Sequence, residues 1–421
     1  MTFIVEVGLS TGAGVDPRYL RLDDPVAGLL DHQLLAPDDL FTDFSADANG
    51  FSRVMAFSVD RASTQSSGAL VEYATGTLSL TLRDDDGDLD PVNIAEPIPG
   101  VAIRFSKIWA GQVYPLFTGT IDTWEPEHSY PDQAVVTITA SDNLAIVQGH
   151  DSAGDVPSGA GQTSGARVAA ILDMIGWPAG QREISPGTVT LAESAFEGNA
   201  LNGLRDVTQA EVGQLWATPA GRIRFRDRYD LYTAAESIAV QGTFGSNRAA
   251  GELPWVGKLG ISYTKDQLTN VVRAARDEEG ATVFESADEV SRSRYGEHAP
   301  PQFTLPLLTD AQVAAWADYV RARDSLPKMM FTEVTIDVRA DEAALYPQVL
   351  TRDFGHRIAV VRRPPGVTAD TRQAYIRGIH HSFQAPFQWQ TRWELEPAPT
   401  GSPLILDDPV HGLLDRNVLI F

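Results

Sequence analysis

Leu78, Leu80 and Leu82 alternate with Thr77, Ser79 and Thr81, and a period of two is the mark of a strand buried on one face. The polar run Arg83-Asp84-Asp85-Asp86-Gly87-Asp88 stops that strand with turn-forming side chains. The same reasoning predicts strands at 103–109, 114–124 and 134–140, and short strands with polar turns over about 100 residues suggest a barrel or sandwich. Residues 149–165, GHDSAGDVPSGAGQTSG, hold almost no large apolar side chain and read as a flexible linker. The period then changes. Val168, Ile171, Leu172 and Ile175 stand at i, i+3, i+4 and i+7, one face of a helix that Gly176-Trp177-Pro178 ends. A weaker helix is expected over 199–212, and 215–228 reads as a hairpin turning at Pro219-Ala220-Gly221. Period two returns at Val334, Ile336 and Val338 and at Trp389, Thr391, Trp393 and Leu395. Between them, Thr309 with Gln312 has capping-box spacing before the Val313, Trp316, Ala317, Val320 stripe.

The ends of the chain carry a repeat: LDDPVAGLLDHQLL at 22–35 and LDDPVHGLLDRNVL at 406–419, identical at ten of fourteen positions. It is too short for a solenoid unit, which runs about 20 to 50 residues. In each copy Asp-Pro sets an extended entry, a glycine permits a bend and a Leu pair offers apolar anchors. The residues concerned are Leu22, Asp23, Pro25, Gly28, Leu29 and Leu30, and Leu406, Asp407, Pro409, Gly412, Leu413 and Leu414. Docking peptides for neighbouring proteins are one reading, and packing on the chain's own core is the other; the Pro-rich spacer 397–403 favours a reaching tail. The pattern as a whole predicts a mainly β protein with an α+β insertion. Its expected parts are an N-terminal docking segment (1–48), a first β-barrel-like domain (49–150) and a linker (151–165). A small α/β domain (166–240), a second β-barrel-like domain with one helix (241–397) and a C-terminal docking tail (398–421) follow.

At 421 residues the chain exceeds one usual core. Its 33 Lys and Arg against 56 Asp and Glu give −23, a field that repels nucleic acid and anionic membranes. The absence of cysteine excludes disulfides, thiolate metal sites and a Cys nucleophile. The first ten residues lack the basic flank and cleavage site of a signal peptide. No stretch nears the roughly 18 to 20 apolar residues that span a bilayer, so stable membrane insertion is not expected.

Candidate chemistry is sparse. There is no GxSxG, HExxH or GxxxxGK[ST] motif. Gly159-Ala-Gly161-Gln-Thr-Ser-Gly165 lacks dinucleotide-site spacing, and Pro327 breaks the helical turn that Ser325 and Lys328 would need for an SxxK site. His380 and His381 are adjacent on a strand and so point to opposite faces, which argues against one shared metal ion. Asp84, Asp86 and Asp88 around Gly87 are oxygen ligands in a turn, either a solvated β-turn or a calcium loop with the wrong spacing. Arg222, Arg224, Arg226 and Arg228 alternate with Ile223, Phe225 and Asp227. They line one face of a strand, either solvated or set against an acidic neighbour such as a second −23 chain. No catalytic residue, cofactor or metal ligand is assigned.

Several phrases carry a resemblance: Arg83-Asp84-Asp85-Asp86-Gly87-Asp88-Leu89-Asp90-Pro91, Leu116-Phe117-Thr118-Gly119-Thr120-Ile121-Asp122 with Trp124, and Ala200-Leu201-Asn202-Gly203-Leu204-Arg205-Asp206-Val207. Glu211-Val212-Gly213-Gln214-Leu215-Trp216 with Gly221-Arg222-Ile223-Arg224-Phe225, and Tyr375-Ile376-Arg377-Gly378-Ile379, complete the set. They resemble minor tail proteins of long-tailed actinobacterial phages, of the tail-hub or baseplate-hub type, over about 52–397. The resemblance implies a structural virion protein made in the host cytoplasm and placed at the tail tip. It implies a homotrimer whose two barrel domains form a pseudo-sixfold collar, matching a sixfold tail tube to threefold tip proteins. Neighbouring tail proteins, namely distal tail protein, tail tube, tape measure and tip proteins, are the implied partners, and DNA would pass an acidic lumen without specific binding. Competing readings are a hexameric distal tail adaptor and an enzyme acting on cell-wall polymer through acids within 84–90 or through Glu125 and Glu127. A carbohydrate-binding module stacking sugars on Trp109, Trp124, Trp389 and Trp393 is the last, although those tryptophans are expected in the core.

Overall fold

The computed structural model describes residues 2–8, 41–47, 49–67, 70–94, 98–129, 133–152, 154–155, 159–195, 198–265 and 267–398. The first β region comprises β1 (Phe3–Val7), β2 (Thr42–Asp43), β3 (Val54–Ser67), β4 (Leu70–Tyr73), β5 (Thr77–Arg83), β6 (Ala102–Trp109), β7 (Gln112–Ser129) and β8 (Gln133–Asp142). The middle of the chain holds α1 (Asn143–Gly149), β9 (Gln162–Thr163), α2 (Ser164–Met174), β10 (Arg182–Ile184) and β11 (Thr190–Leu191). It continues with α3 (Ala200–Glu211), β12 (Gln214–Ala217), β13 (Ile223–Arg226), α4 (Asp230–Thr233) and α5 (Ala235–Ile238). Then come β14 (Thr243–Phe244), β15 (Val256–Tyr263), β16 (Val271–Arg276), β17 (Phe284–Ala287), α6 (Glu289–Tyr295), β18 (Phe303–Leu305) and α7 (Asp310–Asp324). The chain closes with β19 (Met329–Asp337), α8 (Glu342–Thr351), β20 (Arg357–Arg362), β21 (Asp370–Gln384) and β22 (Gln388–Pro397).

The predicted alternation is realised. Leu78, Leu80 and Leu82 of β5, and Trp389, Thr391, Trp393 and Leu395 of β22, are buried with polar residues between them. What alternation did not predict is the pairing. The two β regions expected as separate barrel-like domains share one 14-stranded sheet, whose path runs β15-β19-β22-β21-β3-β5-β8-β7-β6-β1-β2. The junction is antiparallel β3–β21, from Ala62 beside Gly378 to Ala56 beside Gln384. No closed barrel forms among the described strands, because the path ends on two different strands, β15 and β2. Period two fixes which face of a strand is buried but not which distant strand lies beside it. Phe3, Phe57, Phe105, Phe383 and Trp389 meet in one aromatic cluster, with Phe3 at 5.1 Å from Phe383 and Phe57 at 5.5 Å from Trp389.

A second core is built from α1, α2, α3 and the β10-β13-β12 sheet, joined by β16-β18 and α7 from the far side of the sequence. Among the described residues, the region expected to be a β domain with one helix thus gives three α-helices, α6, α7 and α8, and lends α7 with its small sheet to the α/β core. Thr309 and Gln312 do form the capping box that starts α7, and Val313, Trp316, Ala317 and Val320 are its buried stripe. The linker expected over 151–165 also ends early. Gln162 and Thr163 pair with β11, Thr163 caps α2, and Ser164 is wholly buried. Gly165 is required there, since a Cβ would stand 2.0 Å from the Ser185 carbonyl oxygen.

Candidate functional site

The arginine stripe lies where the two cores meet. Arg224 and Arg226 share a face of β13, with their guanidinium carbons 5.6 and 5.5 Å from the Trp216 ring centre. Arg222 and Arg224 reach Glu183 at 3.0 and 3.2 Å, and Arg224 and Arg226 both reach Glu236. Exposure falls along the stripe, from 52% for the Arg222 side chain to 26% for Arg224 and 3% for Arg226. Arg228 leaves the line: it lies beyond the end of β13, is buried, and donates to the Glu211 carbonyl at 2.8 Å and to its Oε1 at 3.3 Å. Thus the expected row of four is a row of three, and acids of the same chain face all four arginines.

The buried end of the stripe continues into a charged joint. Arg61 of β3 donates to Asp353 at 2.9 Å and to the Ala217 carbonyl at 3.0 Å, while the Trp216 indole donates to the other Asp353 oxygen at 3.2 Å. Arg226 reaches the Phe354 carbonyl at 3.5 Å. Burial raises the Asp353 carboxyl, but the Arg61 charge, His356 and hydrogen bonding outweigh it and hold the group below the usual carboxylate value. His356 beside it is pushed down to about 4, chiefly by burial. Glu211, fully buried, is a second knot: Ser164 and Thr188 hydroxyls at 2.5 and 2.6 Å and the Thr188 and Val189 amides at 3.0 and 3.1 Å all donate to it. Those donors and Arg228 keep it below its ordinary value against the opposing effect of burial. The Arg61–Asp353 joint, through Ala217 and Trp216 of β12, ties the two cores together, and the Glu211 knot fixes α2, α3 and the end of β13 within the second core, because a buried charge is tolerated only with its partners in place.

Asp84, Asp86 and Asp88 do converge, on a guanidinium. Arg53, 2% exposed, takes Asp86 in a two-pronged contact at 2.6 Å, Asp88 at 2.9 Å and Asp84 at 3.5 Å. Asp84 also accepts the Leu89 amide at 3.0 Å, so the turn is ordered around an arginine. Among the described residues, no group of three His, Asp or Glu side chains is placed to hold a metal ion. His380 and His381 point to opposite faces as expected. His380 sits between Asp60 at 2.7 Å and Glu394 at 3.1 Å, whereas His381 is buried against Thr391 at 2.9 Å and the Trp389 ring. Trp124, Trp389 and Trp393 are core residues, and Trp109 is half-buried against Tyr346 at 4.2 Å. Glu125 and Glu127 lie exposed on the outer part of β7. No helix of the described residues is long and apolar enough to cross a membrane. Both docking repeats, 22–35 and 406–419, lie outside the described residues.

A cleft of about 290 Å³ between β4 and α3, unannounced by any motif, is bounded by Leu70, Tyr73, Leu201, Gln209 and Leu215, with Arg205 and Glu72 paired at 2.7 Å on its wall. Its mixed lining carries no catalytic pair.

No protein-family model matches the chain, and no curated protein matches it in sequence. Solved structures do. A tail protein from Neisseria meningitidis MC58 superposes with a TM-score of 0.57 at 11% identity, covering 94% of this chain and 96% of that one. A 43 kDa tail protein from prophage MuSo2 of Shewanella oneidensis superposes with a TM-score of 0.53 at 16% identity, covering 82% and 95%. The chain shares its fold with these tail proteins. The expected mainly β class with an α+β insertion is the observed class, without closed barrels. At such identities the likeness concerns fold.

Sequence reasoning missed Arg53, Arg61, Asp353 and Glu211, four charged residues that organise the structure. One signal existed for Arg53, a lone cation one strand away from an acidic turn. For Asp353 there was none, because its partner is 292 residues distant.

Proposed function

We propose that this chain is a non-enzymatic structural protein of a phage tail, working as the hub at the tail tip in a ring of three copies. The observation that carries the reading is the end-to-end fold likeness to a tail protein, 94% of this chain on 96% of the other. The single 14-stranded sheet supports it, since it gives each copy a continuous wall from its two β regions. Three such walls make the collar that matches a sixfold tube to threefold tip proteins. The charge of −23 per copy suits a lumen through which DNA passes without adhering. Terminal peptides containing the repeats engage neighbouring tail proteins, and the exposed end of the arginine stripe, Arg222 and Arg224, meets an acidic surface of the adjacent copy. The test is the absolute mass in solution, by light scattering after size exclusion. The hub predicts about 137 kDa, three chains of 45.6 kDa. About 274 kDa, six chains of 45.6 kDa, would replace it by the hexameric adaptor. Wall-lytic activity abolished by changing Glu125 or Glu127 would replace it by an enzyme.

A further inference from the structure

His380 stands on the strand that joins the two β regions. Its strand, β21, lies between β3 of the first region and β22 of the second, and His380 is directly beside Asp60 on one side and Arg392 on the other. The ring reaches both neighbouring strands. Nδ1 is 2.7 Å from an Asp60 carboxylate oxygen, and Nε2 is 3.1 Å from a Glu394 carboxylate oxygen. The His380 side chain is 16% exposed, so the ring is held largely out of water between the two acids.

A neutral imidazole has one N–H and one lone pair, so it can donate to one acid only and turns its lone pair on the other. Carboxylates at both nitrogens are satisfied together only by the imidazolium, with its two N–H donors. The neighbouring charges do not substitute for it equally. Glu394 also has Arg392 at 3.8 Å, which reaches Glu333 of β19 at 3.4 Å, and the Arg377 charge of β21 acts on it too. For Asp60 the ring is the ion-pair partner, and the residue beside Asp60 on β5 is the uncharged Thr77. On the opposite face Arg61 is engaged by Asp353, and His381 is pushed down to about 3, chiefly by burial.

We infer that His380 is a proton-operated staple at the junction of the two β regions: protonated, it fastens β3 and β22 to β21, and on losing its proton it releases one acid and keeps the other by a neutral hydrogen bond. A charge-assisted hydrogen bond is about twice as strong as a neutral one, so the contact that remains is weakened as well. Asp60 and Glu394 outweigh burial and raise the ring above its ordinary 6.5, so the staple is closed in mild acid and opens in mild alkali. This holds whether or not the chain is a tail hub.

Hydrogen exchange of the full chain at about pH 6 and pH 9, corrected for the intrinsic effect of pH on amide exchange, tests it. Peptides covering 56–62 of β3 and 378–384 of β21 should lose protection at least about threefold more than β16 of the second core does, a size that fits a partly exposed charged contact. His380→Gln, which has no titrating proton, should lack this excess. The variant is needed because the buried Asp142, pushed up to about 7, titrates in the same range on β8. No excess in the wild type, an equal loss in β16, or an excess that persists in His380→Gln would overturn the inference. A readout on the wild type alone guards against a variant that fails to fold. In ¹⁵N spectra at pH 6.5, where an ordinary imidazole is about half neutral, both His380 ring nitrogens should be mainly protonated; a mainly neutral ring would refute the staple.

Discussion

Replacing Asp353 by alanine removes the carboxylate on which the joint between the two cores is built. Arg61, whose side chain is 5% exposed, would lose its ion pair and keep the Ala217 carbonyl and the face of the Phe354 ring, while the Trp216 indole would lose its acceptor. A charge-assisted hydrogen bond contributes about 1.5–3 kcal/mol, and an orphaned buried donor costs about 1–3 kcal/mol. Together these match the roughly 3–5 kcal/mol lost when one partner of a buried ion pair is deleted. The assay is urea unfolding followed by tryptophan fluorescence for wild type, Asp353→Ala, Arg61→Ala and the double variant. The double variant should be less destabilised than the two single losses added together, because removing the second charge relieves the strandedness of the first. The pH dependence has a defined sign. The folded-state value of Asp353 is lowered from 3.8, so its contribution is present above 3.8 and is lost as pH falls through the lowered value. The stability gap between wild type and Asp353→Asn should therefore narrow below about pH 4. Single losses that add to within about 0.5 kcal/mol of the double variant, with a gap unchanged by acid, would refute the joint.

Three further outcomes follow from the geometry. Gly165→Ala should abolish soluble expression, since its Cβ would meet the Ser185 oxygen at 2.0 Å, whereas Gly180→Ala, which meets nothing within 4 Å, should fold normally; comparable yields would disprove the packing. For the adjacent histidines, NMR titration should give opposite results. His380, despite the lowering effect of burial, is raised above 6.5 by Asp60 and Glu394, while His381 is pushed down to about 3 by burial and the nearby Arg61 and His380 charges. Because its folded value is raised, the contribution of His380 is complete below 6.5 and is lost as pH climbs from there through the raised folded value, a slope that His380→Gln should remove. At the acidic turn, Arg53→Met strands the buried Asp84 and the largely buried Asp86 and should cost about 3 kcal/mol in thermal or urea unfolding. Millimolar calcium should leave the wild-type melting temperature within about 1 °C, and a rise of several degrees would mean that the turn binds the ion.

The sequence was most informative where the interactions are local. The end of α2, the starts of α3 and α7, the hairpin β12–β13, and the buried faces of β5 and β22 all depend on residues a few positions apart, and the expected ranges match within a residue or two. The helix α8 was not foreseen, because Pro347 sits inside it. The linker was set too long because residues 159–165 are poor in large side chains, and yet Ser164 and Gly165 are buried by close backbone packing.

Alternation and helical spacing thus determined this protein's class, mainly β with an α/β part, and which face of each main element is buried. Composition determined that it is acidic and free of cysteine chemistry. Only the tertiary structure decided that β3 and β21 merge two β regions into one sheet, and that α7 crosses to the other core. It alone decided that the arginine stripe and the acidic turn are occupied by groups of the same chain. The reason is physical: the side-chain period of a strand or helix is written in neighbouring residues. The partner that completes a sheet edge or neutralises a buried charge is chosen by the packing of segments hundreds of residues apart.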